Sequence, residues 1–214
     1  MLACTRTLTG APLWHTVAFP MRIAEVRTHH LRAQLDEPFS FSQFTYSARE
    51  AMLVEVRTDD GLSGWGEAYG PAALSHAAVE KFFAPMLLGR DPRDVEANWA
   101  LMYARSVDYG QKGVMLAAIS AVDIALWDIK ARAAGQPLYR LLGGEHADAI
   151  DCYATGFYFT ESEPLEDRFE TEAKRYLADG FGAMKVKVGL GPARDAELIR
   201  HVRSIIGPDK RLMM

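Results

Sequence analysis

The chain has 214 residues, of which 49% are hydrophobic and 24% are charged, a composition typical of globular proteins and unlike that of disordered or fibrous ones. Its formal net charge of −4 gives no electrostatic reason to expect nucleic acid or an anionic membrane surface as a partner. Two cysteines, Cys4 and Cys152, do not make a disulfide framework or a cysteine-based metal site. No apolar run approaches the ~18 residues of a membrane span, so we expect a cytoplasmic protein.

The first half of the chain predicts a three-stranded antiparallel meander followed by helices. Residues 1–20 show no clear period, and we expect them to be a disordered extension. Alternating apolar and polar residues predict three strands, over residues 22–31, 51–58 and 62–68. The Asp-Gly signature of a hairpin turn separates the last two strands. Apolar residues at helical spacing then predict three helices, over residues 72–88, 91–106 and 113–134.

A polar and aromatic stretch, residues 36–46, separates the first two strands and is predicted to be a loop. It carries four aromatic residues, which are Phe39, Phe41, Phe44 and Tyr46. Such residues are unusual in loops, because loops run over the surface of the protein. Either the rings pack back on their own domain, or the loop is a lid that closes over a site.

Strand and helix patterns alternate after Gly143 and Gly144. Strands are predicted over residues 149–155, 184–188 and 211–214, and helices over residues 164–178 and 193–206. This order implies parallel strands with helices against their outer face. We therefore expect two domains, residues 21–143 and residues 144–214.

The second strand of this unit carries two lysines in an alternating pattern. Met184, Val186 and Val188 would face the helices, and Lys185 and Lys187 would point together to the other side. Two ammonium groups in a protein interior are costly unless they have a function. Desolvation and mutual repulsion also favour the neutral amine, which can act as a general base. The alternative is a half-exposed strand with two solvated lysines, and the pattern alone leaves it open.

Two other kinds of site are disfavoured. Gly189-Leu190-Gly191 lies between a strand and a helix, but the third glycine of a dinucleotide fingerprint is replaced by Arg194. No His-x-x-x-His, Cys-x-x-Cys or Asp-x-Asp spacing points to a metal site. We therefore predict no metal ligands in this chain.

The order of these parts resembles the enolase superfamily, and within it the mandelate racemase/muconate lactonizing enzyme branch. The likeness covers residues 21–214, and the stretches that carry it are Gly64-Trp65-Gly66-Glu67, Ala121-Val122-Asp123-Ile124-Ala125-Leu126-Trp127-Asp128, Leu141-Leu142-Gly143-Gly144 and Lys185-Val186-Lys187. Two further stretches resemble the sugar-acid members, Tyr153-Ala154-Thr155-Gly156 and Gly207-Pro208-Asp209. The implied fold is an α+β capping domain, a three-stranded antiparallel meander plus helices, followed by the truncated start of a (β/α) TIM-like barrel.

The resemblance also implies a mechanism. Members of this family abstract the proton α to a carboxylate, and Mg²⁺ stabilises the resulting enediolate. By position, Lys187 would be the base, and Lys185 would assist it and help to neutralise the carboxylate. Thr155 would contact the substrate at the end of the first barrel strand. The stretch at 36–46 corresponds to a lid, whose substrate-contacting residues would be Ser42, Phe44 and Tyr46.

One departure from the family pattern is severe. The family's metal-binding carboxylates lie at the ends of the third, fourth and fifth barrel strands, and a full barrel needs ~250 residues. This sequence ends within the third predicted strand. We therefore expect the N-terminal part of a Mg²⁺-dependent dehydratase, cycloisomerase or racemase, which acts on a small carboxylate, a sugar acid or its lactone. The 214 residues alone would be inactive, and the complete enzyme would be a homo-oligomer.

Two alternatives remain. The first is a non-catalytic remnant, or a subunit that is completed by another chain. The second is a metal-independent α/β protein whose lysines hold an anion. Either way, the open edge of the predicted sheet should favour association.

Overall fold

A computed structural model describes residues 21–42, 44–144 and 149–214. The extension predicted for residues 1–20 lies outside these described residues. The first sheet is antiparallel, with its strands in the order β1 (Ile23–Phe41), β2 (Phe44–Thr58) and β3 (Ser63–Ala68). The predicted meander is therefore confirmed.

The prediction of a loop over residues 36–46 is wrong, because β1 and β2 continue through it as one long hairpin. Three pairs extend the ladder to its end, Phe39 with Tyr46, Ser40 with Thr45 and Phe41 with Phe44. Aromatic and hydroxyl residues alternate on both arms, and cross-strand aromatic pairs stabilise such a ladder. A register shift between Gln34 and Phe39 accommodates the polar residues that gave the stretch its loop-like appearance. Residues 39–42 and 44–46 are called the hairpin tip below.

Helices follow the first sheet. They are α1 (Ala72–Ala77), a π-helical segment (Ala78–Phe83), α2 (Ala84–Leu87), α3 (Val95–Arg105), a 3-10 turn (Val107–Tyr109), α4 (Val114–Ala133) and α5 (Leu138–Leu141). Helix α3 begins four residues later than predicted, because the Asp91 carboxylate accepts the Arg93 N–H at 2.8 Å and holds the preceding turn. In the described part of the chain, no helix has the length and apolarity that crossing a membrane requires.

Helix α4 lies directly against β3. Gly64 and Gly66 face this helix, and a Cβ atom on either would lie less than 3.0 Å from a carbonyl oxygen, that of Ala125 or that of Ala121. Only glycine permits this approach of strand to helix. Two of the stretches that carry the family resemblance are thus in contact with each other. The core of this part of the chain contains Val54, Val56, Phe83, Leu126 and Ile129.

A second, parallel sheet follows. Its elements are β4 (Ala154–Thr155), α6 (Leu165–Ala178), β5 (Ala183–Lys185), α7 (Pro192–Ile206) and β6 (Arg211–Met213), and the strand order is β4-β5-β6. The strands are shorter than predicted, because only two or three residues of each are paired. A separate core packs Met184 and Val186 against Phe169, Leu198 and Val202 of the two helices. These elements are the first β/α units that the sequence predicts.

Candidate active site

The alternation of side chains along β5 and just beyond it separates the two lysines from the helices. Met184 and Val186 are fully buried in the core with α6 and α7. Lys185 and Lys187 are half-buried, and their ammonium groups contact aromatic rings instead. The Lys185 Nζ atom lies 5.9 Å from the centre of the Tyr153 ring. Both lysines therefore lie on the side of the parallel sheet that the sequence predicts.

The hairpin tip reaches across from the first sheet to the C-terminal ends of β4 and β5. Ser40 and Phe159 exchange both main-chain hydrogen bonds, each 2.8 Å long. At the turn, Ser42 is so close to Gly189 that a Cβ atom there would lie 2.9 Å from the Ser42 Cα atom. In barrels of this type, the chemistry takes place at this end of the strands. The tip thus covers the place where the lysines lie.

Aromatic rings surround the Lys187 ammonium group. Its Nζ atom lies 5.3 Å from the centre of the Phe41 ring and 5.1 Å from that of Tyr158. Tyr46 stacks on Phe41, with 5.5 Å between the ring centres and an interplanar angle of 11°. Contacts of this kind attract a cation to the ring face. The rings therefore favour a position of the ammonium group beside the hairpin tip.

The structure gathers most of the predicted site residues at one edge. Thr155 is exposed at the end of β4, where it pairs with Lys185 in the ladder. Tyr46 belongs to the ring cluster beside Lys187, and Ser42 lies over Gly189. Phe44 is different, because it remains 61% exposed at the end of the hairpin.

Two residues at this edge were missed in the sequence. Tyr158 contacts both Lys187 and Phe39, and the run of three aromatic residues that begins one residue after β4 could have indicated it. The Arg49 guanidinium group lies 4.3 Å from the centre of the Phe39 ring and 5.9 Å from that of Tyr158. No sequence signal marks Arg49, because its contacts depend on β2 continuing into the hairpin.

Glu37 joins the base of the hairpin tip to α6 and the segment before it. Its carboxylate accepts hydrogen bonds from the Ser162 and Thr160 hydroxyl groups and from Arg168 Nη1, the last at 3.1 Å. These donors, with Ser162 and Thr160 ahead of Arg168, lower the pKa of Glu37 to about 2. Glu37 is therefore ionised at neutral pH and holds the tip through three donors.

The described residues bring together no cluster of metal-ligating side chains. Across residues 21–42, 44–144 and 149–214, no group of three or more His, Cys, Asp and Glu side chains is placed to hold a metal ion. Mg²⁺ takes oxygen ligands, often one or two protein carboxylates together with substrate and water oxygens. The described residues therefore supply no multi-ligand magnesium site of their own.

Comparisons with known proteins agree on one family. A model of the N-terminal domain of mandelate racemase / muconate lactonizing enzymes matches residues 23–143. D-galactarolactone cycloisomerase of Agrobacterium fabrum is 42% identical over 194 residues, which are 91% of this chain and 51% of that enzyme. The crystal structure of 3,6-anhydro-D-galactonate cycloisomerase from Zobellia galactanivorans is similar with a TM-score of 0.78 at 41% identity, over 90% of this chain and 50% of that one.

A third relative has been solved with its ligands. L-talarate/galactarate dehydratase of Salmonella typhimurium LT2 has a TM-score of 0.80 at 28% identity, over 97% of this chain and 54% of that one. A mutant of L-talarate/galactarate dehydratase has been solved with Mg and L-glucarate. The chain spans about half the length of these relatives. With its meander, its helices and its first β/α units, the chain belongs to the mandelate racemase/muconate lactonizing enzyme family of the enolase superfamily.

Proposed function

We propose that the described residues are the N-terminal part of a Mg²⁺-dependent enzyme that abstracts the proton α to the carboxylate of a sugar acid or its lactone. The observation that carries the proposal is the pair Lys185 and Lys187, which lie on one side of the parallel sheet beneath the hairpin tip. The names of the relatives support the substrate class, since they include a galactarolactone cycloisomerase, an arabinonate dehydratase and a talarate/galactarate dehydratase.

Lys187 is the base in this proposal. Alternate residues of an extended segment lie about 6.5 Å apart on the same face. Lys185 can therefore attract the substrate carboxylate while Lys187 reaches the proton on the neighbouring carbon. The rings of Phe41 and Tyr158 contact the Lys187 ammonium group and can hold it in place for the reaction.

The remaining site residues position the substrate. The Thr155 hydroxyl group lies beside Lys185 and can donate a hydrogen bond to a carboxylate or hydroxyl oxygen. Ser42 and Tyr46 form part of the cover and would contact the sugar chain, and exposed Phe44 would approach only a longer substrate. Dehydration, cycloisomerisation and racemisation all begin with the same proton abstraction, so the proposal includes all three.

The magnesium ion enters the proposal through the dehydratase that was solved with Mg and L-glucarate. Its protein ligands would lie outside the described residues. The prediction that the 214 residues alone turn over no acid sugar stays part of the proposal, and so does a homo-oligomeric complete enzyme. Both rest on relatives about twice as long as this chain.

The proposal is tested by exchange of the α-proton in deuterated water, with the enzyme at its full native length and a panel of sugar acids. Lys187→Ala should lower the exchange rate at least ~10²-fold, the low end for a general base. Lys174→Ala is the matched control, because Lys174 is 65% exposed and pairs with Glu170 on α6. A smaller loss in Lys187→Ala would contradict the role of this residue. A parent protein that binds the acids without exchange, and binds them less tightly as Lys187→Ala, would favour the anion-binding alternative.

A further inference from the structure

We propose that Arg168 and the two carboxylates that it joins, Glu37 and Glu172, form a positioning network that holds the hairpin tip and the turn after β4 as one unit. The network does not touch the reacting atoms. It acts through Tyr158, which contacts Lys187. In the chain, Tyr158 lies between Phe157, which Glu172 holds, and Thr160, which Glu37 holds. The inference rests on the proposed function for its catalytic consequence.

The turn after β4 is strained. Phe157 has a φ of 57°, in the left-handed region that bulky residues rarely adopt. Its ring is fully buried and lies edge-on to Phe169 and Tyr176, with centres 5.3 and 5.6 Å apart. Such a conformation persists only where the surroundings determine it, and functional sites are where it concentrates. Thr155, which faces the proposed substrate, lies two residues before it.

Glu172 holds this turn from α6. Its Oε2 atom accepts the Phe157 N–H at 2.8 Å and the Tyr176 hydroxyl group at 3.1 Å. The carboxylate is packed so closely on the backbone that a Cβ atom at Gly156 would lie less than 3.0 Å from it. Without this acceptor, the Phe157 N–H would lose its partner in a protein interior, which is costly.

Arg168 joins this carboxylate to the hairpin. Its Nε atom lies 3.4 Å from Glu172 Oε1, one helical turn away, and its Nη1 atom donates to Glu37 Oε2 at 3.1 Å. The side chains of Arg168 and Glu172 are 23% and 16% exposed, so their ion pair is shielded from water, and the buried Arg168 Nε atom, which makes no hydrogen bond, has this carboxylate as its nearest counter-charge. A planar guanidinium group with several N–H donors suits this bridging position, and a lysine ammonium group would not reproduce it.

Glu37 fixes the far end of the segment formed by residues 157–162. Its carboxylate accepts hydrogen bonds from Thr160 and Ser162, while Ser40 pairs with Phe159 through the main chain. Residues 157–162 are therefore held at one end by Glu172 and at the other by Glu37. Tyr158, inside this segment, can keep its contact with Lys187 only while both ends stay in place.

The test is a double-mutant cycle on the enzyme at its full native length. Amide hydrogen exchange is measured without substrate over residues 39–42 and 157–160, together with kcat and KM on the best sugar acid. Glu37→Gln and Glu172→Ala should each lower amide protection about tenfold in both segments, because each removes a charged hydrogen-bond partner. KM should rise more than kcat falls. Glu172→Gln should restore most of the protection, since its amide oxygen can accept the Phe157 N–H.

The cycle separates a network from independent local contacts. In a network, the double variant loses clearly less than the product of the two single losses. Independent losses, or losses confined to one segment each, would overturn the inference. Glu163→Gln is the matched control, because Glu163 contacts the same guanidinium group at 3.4 Å without reaching the hairpin or the turn, and it should change neither segment. If Glu172→Ala does not fold, Glu172→Asp, whose shorter side chain draws the carboxylate back from the Phe157 N–H, replaces it in the cycle.

The readout without substrate also separates this inference from the proposed function. Coupled protection in an enzyme that shows no α-proton exchange would support the network and count against the function. Normal catalysis with independent losses of protection would reject the network alone.

Discussion

The capping region, residues 21–143, and the β/α region, residues 149–214, differ in how their sheets are covered. In the capping region, α4 covers β3 at a distance that only Gly64 and Gly66 permit. The β/α region packs helices on one side of its sheet, and its edge strand β6 leaves Met213 36% exposed. In both regions the apolar core lies on the helix side of the sheet, but only β3 approaches its helix closely enough to require glycine within the strand.

Polar and aromatic contacts, not a shared apolar core, join the capping region to the β/α region. Their buried cores are separate, and the hairpin tip connects them through the Ser40–Phe159 main-chain pair, the Glu37–Arg168 ion pair and aromatic contacts. Polar and aromatic contacts of this sort are weaker than a shared apolar core. The capping region thus carries the hairpin tip, and the β/α region carries Lys187, which the tip contacts.

The close contact between β3 and α4 should be the feature most sensitive to substitution. Gly66→Ala places a methyl group against the Ala121 carbonyl, and a backbone group cannot turn away as a flexible side chain can. We expect the free energy of unfolding to fall by about 3 kcal/mol or more. Gly182→Ala in the β/α region is the matched control, since nothing lies within 4 Å of its new methyl group. Chemical denaturation measures both, and equal stabilities would contradict the comparison.

A smaller effect comes from matched cavities in the two cores. Leu126 of α4 and Leu198 of α7 are both almost fully buried, and truncation to alanine should cost about 3 kcal/mol in either place. The two variants should lose amide protection in different parts of the protein. Leu198→Ala should lower amide protection in α6 and α7 while leaving β2 and α4 protected, because the cores are separate. Uniform loss in both variants, seen by hydrogen exchange, would mean that the regions unfold together.

The sequence was sufficient for the features that rest on short-range patterns. Alternation along β5 placed Lys185 and Lys187 on one side, and alternation and helical spacing predicted the meander and the helices of the capping region. These patterns are local, because each strand or helix displays its buried face in its own residues. The hairpin tip was misread for the opposite reason. A register shift hides the ladder from any period count, and the pairing partner decides the structure.

Contacts that join distant residues could not be predicted at all. Glu37 and Arg168 are 131 residues apart in the chain, and Glu37 itself looked like part of a polar loop. Phe157 gives no hint of a left-handed conformation, because aromatic residues seldom adopt one. The arrangement exists only because α6 presents Glu172 and Arg168 to the turn and the hairpin at once.

Acid should have a more modest effect, on the contacts that link the two regions. The pKa of Glu37 is lowered from its usual value of 4.5 to about 2 by Ser162, Thr160 and Arg168, and that of Glu166 on α6 to about 2 by its hydrogen bonds with Arg194 of α7. A lowered pKa stabilises the folded state above pH 4.5, and this contribution is lost as the pH falls towards 2. Glu37 links the hairpin to the β/α region, and Glu166 joins α6 to α7 within that region.

Acid should therefore release the hairpin tip before it disturbs the capping core. Pepsin, which cuts near aromatic residues at low pH, can measure this release between pH 4.5 and 2.5. Cleavage of the parent protein within the tip should accelerate a few-fold as the pH falls, whereas Glu37→Gln should be cleaved faster at pH 4.5 already and change less. Glu50→Gln is the matched control, because Glu50 lies on β2 and pairs only with exposed residues of β1. Identical pH profiles for the parent and Glu37→Gln would mean that the aromatic and main-chain contacts, not the carboxylate, hold the tip over the lysines.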